Sequence, residues 1–293
     1  MAHTSRFVHL LAAVLLVLGA AGVATLPSAQ AGRTMITGSV TVAPSRSAGN
    51  LGPLITIPQT WNNCGPSSVA EVLAYWGISR TQGQVQAVLR ADGNPHGMSP
   101  YGVPAYMRSL GLRALLGIAG SQRLVKALIS NGFPVIVSQY VSLADHVGHY
   151  RPIQSYNDGQ RSFVSSDPYL GQGHVIGYDE FDAIWQNTNR RFMVLYPPAR
   201  QNLLNAVLTA AGWNKTPAYR KDLARVHGLL TGTVADTTGY GHPRNYALAL
   251  AWDELQLGQY AASRKAIDTA LRQGANPVVA GWISAELALA SHT

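Results

Sequence analysis

Cys64 is the single cysteine of the chain, and its surroundings favour a reactive thiol. It stands in the segment Gln59–Thr60–Trp61–Asn62–Asn63–Cys64–Gly65–Pro66–Ser67–Ser68, directly ahead of residues at helical spacing. The first turn of a helix leaves backbone N–H groups unpaired, and the helix dipole adds positive potential there. A thiolate at that point is stabilised, so the thiol should ionise more readily than a free cysteine. Gln59 lies on the loop leading into Cys64. Its amide can donate a hydrogen bond to the oxyanion that forms when a thiolate attacks a carbonyl. Gly65 is expected to let a substrate backbone approach closely.

Such a nucleophile needs a group that takes up a proton and returns it to the leaving amine. Histidine suits this because it titrates near neutral pH, and its ring must be oriented by a third group. His149 opens an expected strand, and Asp167 closes the next one across the turn Asn157–Asp158–Gly159. The two ends of an antiparallel pair are neighbours, so a hairpin brings this imidazole and carboxylate together. His146 is the rival base. With His149 and Asp145 it forms an H-x2-H group, but no paired cysteines support a metal site, and no cofactor is expected. Each residue also has a plainer role. Cys64 can be a small buried hydrophobe, His149 a structural histidine, Asp167 a turn residue and Gln59 a loop residue bonding backbone. Trp61 and Trp76 are expected as core or cleft-wall aromatics.

The elements that must position these groups follow from pattern. Val69, Val72, Leu73 and Trp76 lie at helical spacing, and Pro66 and Gly77 suit the two ends, so a helix is expected over Pro66–Tyr75. Gln82–Leu89, Tyr101–Leu110, Ser121–Ser130 and Glu180–Trp185 are further helix candidates. Pro134–Tyr140, Tyr150–Tyr156, Ser162–Ser166 and Phe192–Tyr196 read as strands. Helices grouped ahead of mostly antiparallel strands make an α+β domain over residues 54–200.

At this point the chain resembles a known family, the C39-like cysteine peptidases of papain-like fold. The resemblance rests on Gln59-x4-Cys64–Gly65–Pro66–Ser67–Ser68, on Gly148–His149–Tyr150 and on Asp167–Pro168 with Gly171. Phe181-x3-Trp185 before the Phe192–Tyr196 strand also agrees, as does Leu110–Gly111–Leu112 ahead of the Leu124–Gly132 helix and the Pro134 strand. The resemblance implies Cys64 as nucleophile, His149 as base, Asp167 as its orienter and Gln59 as oxyanion donor, acting on a peptide or protein substrate. One block departs from it. The strand after the family's histidine is usually a continuous apolar run, whereas here Arg151 and Gln154 are polar and Pro152 removes a ladder donor.

The rest of the chain adds context. Of its 293 residues 47% are hydrophobic and 12% charged, which excludes general disorder. The net charge is +8, but Lys and Arg are scattered and form no stripe, so no nucleic-acid partner is expected. Arg6, the apolar run Phe7–Ala24 and Ala29–Gln30–Ala31 have the layout of a secretory signal over residues 1–31. Cleavage after Ala31 would leave an exported protein, and retention of the run would make it a membrane anchor. Residues 32–53 read as a flexible lead-in. Residues 203–293 are Ala/Leu-rich and helical, interrupted at Thr231–Pro243. There Tyr246–Pro277 resembles one tetratricopeptide repeat, which could hold a protein partner or simply pack on the domain. Two other functions stay open: a papain-like acyl transferase using the same residues, and a secreted binding module with a degenerate peptidase fold.

Overall fold

The computed structural model describes residues 41–43, 46–235 and 243–292; the expected secretory signal lies outside them, as does part of the lead-in. After a short strand β1 (Ala48–Asn50), the chain forms α1 (Cys64–Tyr75), α2 (Gln82–Leu89), a 3-10 turn at Pro100–Gly102 and α3 (Val103–Ser109). Next come β2 (Arg113–Gly117), α4 (Gln122–Ser130), β3 (Val135–Tyr140), β4 (Gly148–Asn157), β5 (Ser162–Asp167) and β6 (Gly171–Gly177). The order continues with α5 (Tyr178–Gln186), β7 (Phe192–Tyr196), α6 (Gln201–Ala210), α7 (Lys215–Thr231), α8 (Pro243–Gln256), α9 (Tyr260–Arg272) and α10 (Pro277–Ser291).

The strands form one sheet in the order β2-β7-β3-β4-β5-β6, with β1 alongside β4, and every pair is antiparallel. This is the α+β architecture expected from the sequence, with three strands, β1, β2 and β6, that periodicity did not reveal; β1 lies within the expected flexible lead-in and pairs with β4. β4 is unbroken despite Pro152, which sits opposite Ile136 of β3. The ladder to β5 runs from Ile153 onward and shifts register between Ile153 and Ser155. The first half of β4, which carries His149 and Arg151, is therefore paired to β3 alone.

Strand alternation distributes the core over both sheet faces. Phe192, Val194 and Tyr196 of β7, with Val135 and Val137 of β3, pack against α4, α5 and α6. Met193 and Leu195 of β7, with Ile136 of β3, face the other way, into a cluster with Val69, Leu73 and Met107 of α1 and α3. That second cluster also holds Ala251 and Trp252 of α8, Ala270 of α9 and Ile283 and Leu287 of α10. The C-terminal helices thus share a core with the first three, and Val40–Thr293 is one compact unit.

Candidate active site

Helix α1 begins at Cys64, two residues earlier than the spacing predicts, with Asn63 as its N-cap. Asn63 is fully buried, but its side chain does not cap the helix. Its amide instead donates to Thr60 Oγ1 (3.1 Å), Gln82 Oε1 (3.0 Å) and Gln86 Oε1 (3.0 Å). Arg90, following α2, donates to the Asn62 carbonyl (3.2 Å) and to Asn63 Oδ1 (3.1 Å). Asn62 itself takes a left-handed conformation, φ 54°, which asparagine tolerates better than most residues. α2 is held by a reciprocal cap between Thr81 and Gln84, so it is a firm base for this loop. The first turn of α1 carries no acidic residue, and its positive end is left to the thiol.

Cys64 is buried, which by itself would push its thiol up. A hydrogen bond to His149 and the charge of that imidazole outweigh the burial, with help from the backbone N–H groups of Tyr150 and Gly65. The net effect lowers the thiol below its ordinary value. The same geometry acts in reverse on His149. Burial pulls its imidazolium down, and bonds to Asp167 and Cys64 more than restore it, so its affinity for a proton is raised. His149 Nε2 lies 2.9 Å from Asp167 Oδ1, which leaves Nδ1 for the thiol.

Asp167 is fully buried. Burial favours its neutral form, but the bond to His149, the charges of His149 and Arg151 and the N–H of Leu170 hold the carboxyl well below the usual carboxylate range. Its Oδ1 also accepts the N–H groups of Tyr169 (2.8 Å) and Leu170 (2.9 Å). The turn role and the orienting geometry therefore coexist in one carboxylate.

Gln59 is tied to the same corner, its N–H donating to the Pro168 carbonyl (2.8 Å). The loop before it is stitched down by Thr56 Oγ1 to Ser166 Oγ (2.6 Å) and by Ile57 N–H to Glu71 Oε1 (2.8 Å). His146 does not join the group. It is exposed, stacks on Tyr140 and bonds the Leu143 carbonyl through Nε2 (3.0 Å). Among the described residues no cluster of three or more His, Cys, Asp or Glu is arranged to hold a metal ion.

Two expectations need correction. A Cβ on Gly65 would fall 2.8 Å from Cβ of buried Met98, so this glycine serves close packing beneath the site, not the approach of a substrate. Trp61 is not a core residue: it is 86% exposed, whereas Trp76 is packed and donates to the Leu195 carbonyl. Sequence reasoning also passed over Glu71, Asn63 and Arg90. Of these, Glu71 carried a readable signal, being seven residues after Cys64 and hence on nearly the same helix face.

Residues 52–193 match the model of the Peptidase_C39 like family. No curated protein matches the chain. One similar solved structure is a double glycine motif protease from an AMS/PCAT transporter in complex with the leader peptide. It is 22% identical, covers 51% of this chain and 94% of that chain, and gives a TM-score of 0.41. Another is the peptidase domain of Streptococcus ComA, a bi-functional ABC transporter involved in a quorum sensing pathway. It is 20% identical, covers 48% of this chain and 96% of that chain, and gives a TM-score of 0.39.

Proposed function

Residues 52–193 form a domain of the Peptidase_C39 like family with a papain-like α+β fold, and from that premise we propose that the protein is an exported cysteine peptidase that hydrolyses peptide bonds. The observation that carries this reading is the buried His149–Asp167 pair beside the Cys64 thiol at the start of α1. The Cys64 thiolate attacks the scissile carbonyl, forming a C–S bond and moving the π electrons onto oxygen. The Gln59 amide and a backbone N–H near Cys64 hold that oxyanion. Collapse of the tetrahedral adduct expels the amine, which takes its proton from the His149 imidazolium. Water then attacks the thioester while His149 takes up its proton, and the acid leaves. Asp167 keeps the imidazole in one tautomer and orientation throughout.

The substrate class is a peptide or protein. Export rests on Arg6, the Phe7–Ala24 run and the Ala29–Gln30–Ala31 end. The test is the alkylation rate of Cys64 against pH in the full chain and in His149→Ala, followed by a peptide-library digest. A thiol that reacts well below pH ~8.5, the value of a free cysteine, and loses that reactivity in His149→Ala supports the peptidase. A thiol that stays inert, or titrates normally without regard to His149, overturns it in favour of a binding module.

A further inference from the structure

Arg151 stands two residues after His149 on β4, so the two side chains leave the same face of the strand. This is a position where the family resemblance leads one to expect an apolar residue. Arg151 is nevertheless fully buried. Its Nε lies 3.2 Å from Asp167 Oδ2, and its Nη2 donates to the carbonyls of Val141 (2.8 Å) and Tyr140 (3.3 Å) at the end of β3. The two oxygens of Asp167 are thus divided between two sides. Oδ1 takes His149 and the Tyr169 and Leu170 N–H groups, while Oδ2 has no hydrogen bond and faces the guanidinium alone.

A buried arginine is costly unless it is paired, and two backbone carbonyls would not neutralise it. We propose that Arg151 is a positioning residue of this site: its guanidinium holds the Oδ2 side of Asp167 from behind and so fixes the carboxylate against the imidazole. It acts through Asp167 and leaves the thiol and the substrate to other groups. The inference rests on the peptidase reading above.

A permanent cation beside the triad also has an electrostatic consequence. The charged and titratable groups that face Arg151 are Asp167 on β5, Cys64 on α1 and Glu180 on α5. His174 on β6 also feels its charge, and His149 shares its strand. A positive charge favours the thiolate and disfavours the imidazolium. Both edges of the pH range in which thiolate and imidazolium coexist therefore lie lower than they would beside a neutral residue.

The experiment is the rate of Cys64 alkylation by iodoacetate, an anion whose approach the imidazolium assists and which therefore reads both edges, across pH in the full chain and in Arg151→Met and Arg151→Lys, with near-UV circular dichroism to verify folding. In Arg151→Met the acid edge should move up by about one pH unit through loss of the charge, while the alkaline edge should not rise with it, because a carboxylate that is no longer held supports the imidazolium less. Arg151→Lys keeps the charge but not the Nε contact with Oδ2, so it should return the acid edge and leave the alkaline edge below the wild type. An arginine that acts by charge alone would move both edges up together in Arg151→Met and restore both in Arg151→Lys, so that pattern in folded variants, or edges that do not move at all, overturns the proposal and spares the peptidase reading. A wild type without any His149-dependent edge takes down both. Should Arg151→Met fail to fold, the wild type decides by heteronuclear NMR. The Arg151 Nε–H resonance should shift as the Cys64–His149 pair titrates, and a resonance that stays put overturns the proposal.

Discussion

His149 Nε2 and Asp167 Oδ1 lie 2.9 Å apart with both side chains almost fully enclosed, and this contact decides the pH behaviour of the thiol. The thiol is lowered and the imidazole raised, so the two values move toward each other, the direction that favours a thiolate–imidazolium pair. Reactivity should rise as pH climbs through the lowered thiol, hold a plateau, and fall as the imidazolium loses its proton above its ordinary value. Asp167→Asn removes the carboxylate that supports the imidazolium, so the alkaline edge should move down and the plateau narrow. A pH profile of alkylation by iodoacetate, an anion that the imidazolium attracts, measures this in wild type against Asp167→Asn. An alkaline edge unchanged by the substitution would show that Asp167 serves only its turn.

Gln59 is held by its backbone to Pro168 and through its loop to Glu71 and Ser166, and among the described residues its side-chain amide makes no hydrogen bond. Removal of one oxyanion donor costs about a hundredfold to a thousandfold in kcat. Gln59→Ala should therefore lower kcat on the best library peptide by that order, change KM little, and leave the alkylation profile of Cys64 unchanged. Loss of alkylation alongside turnover would instead assign Gln59 to the architecture of the loop.

Glu71 supplies a separate handle on stability. It is fully enclosed, and its Oε1 accepts the Ile57 N–H at 2.8 Å. Burial, opposed by the bonds from Ile57 and Ser166 and reinforced by the charge of Asp167, raises it to about 8. In the unfolded chain it ionises near 4.5. Between those two values the unfolded state releases a proton that the folded state keeps, so stability attributable to Glu71 falls as pH rises, and the loss levels off above about 8. Glu71→Gln keeps an acceptor for Ile57 and removes the ionisation. It should raise stability near pH 7 by up to about 3 kcal/mol and flatten its decline with pH. Urea denaturation at several pH values gives the answer, and a variant as pH-dependent as the wild type would exclude the burial of Glu71 as the cause.

Much of this site was legible because it depends on local signals. The helix start at Cys64 is marked by Pro66 and apolar spacing, and the meeting of His149 with Asp167 follows from a hairpin whose turn is written in Asn157–Asp158–Gly159. What the chain conceals depends on partners far away in sequence. β2 reads Arg–Ala–Leu–Leu–Gly, a composition neutral to helix, and pairing with β7 makes it a strand. β6 reads Gly–Gln–Gly–His–Val–Ile–Gly, poor in strand formers, and is held by the ladder of β5. Arg151 looked like a flaw in an apolar strand because its ion-pair partner is sixteen residues on, across a bulged ladder. Gly65 was assigned to substrate because Met98, the residue it accommodates, gives no sign of itself in the local sequence.

The C-terminal helices supply the last prediction. Ala251, Trp252, Ile283 and Leu287 share one apolar cluster with Val69, Leu73 and Met107 of the first helices. At the seam, a Cβ on Gly102 would lie 2.9 Å from the ring of Trp282, so the 3-10 turn and α10 approach as closely as a glycine allows. Nearby, Arg108 forks onto Glu286 at 2.8 and 2.5 Å, but the arginine is 40% exposed, and such pairs are worth under about 1 kcal/mol. The apolar seam should therefore outweigh the ion pair. Gly102→Ala is expected to cost about 1–3 kcal/mol by overpacking, Glu286→Ala less than about 1 kcal/mol, and deletion of residues 243–293 should leave the remainder insoluble, since it strips the cover from buried residues beneath Cys64. Thermal unfolding of the two variants and the soluble yield of the truncated chain test this together. A truncated chain that stays soluble, with its thiol still reactive, would mean that the helices are a separable module after all.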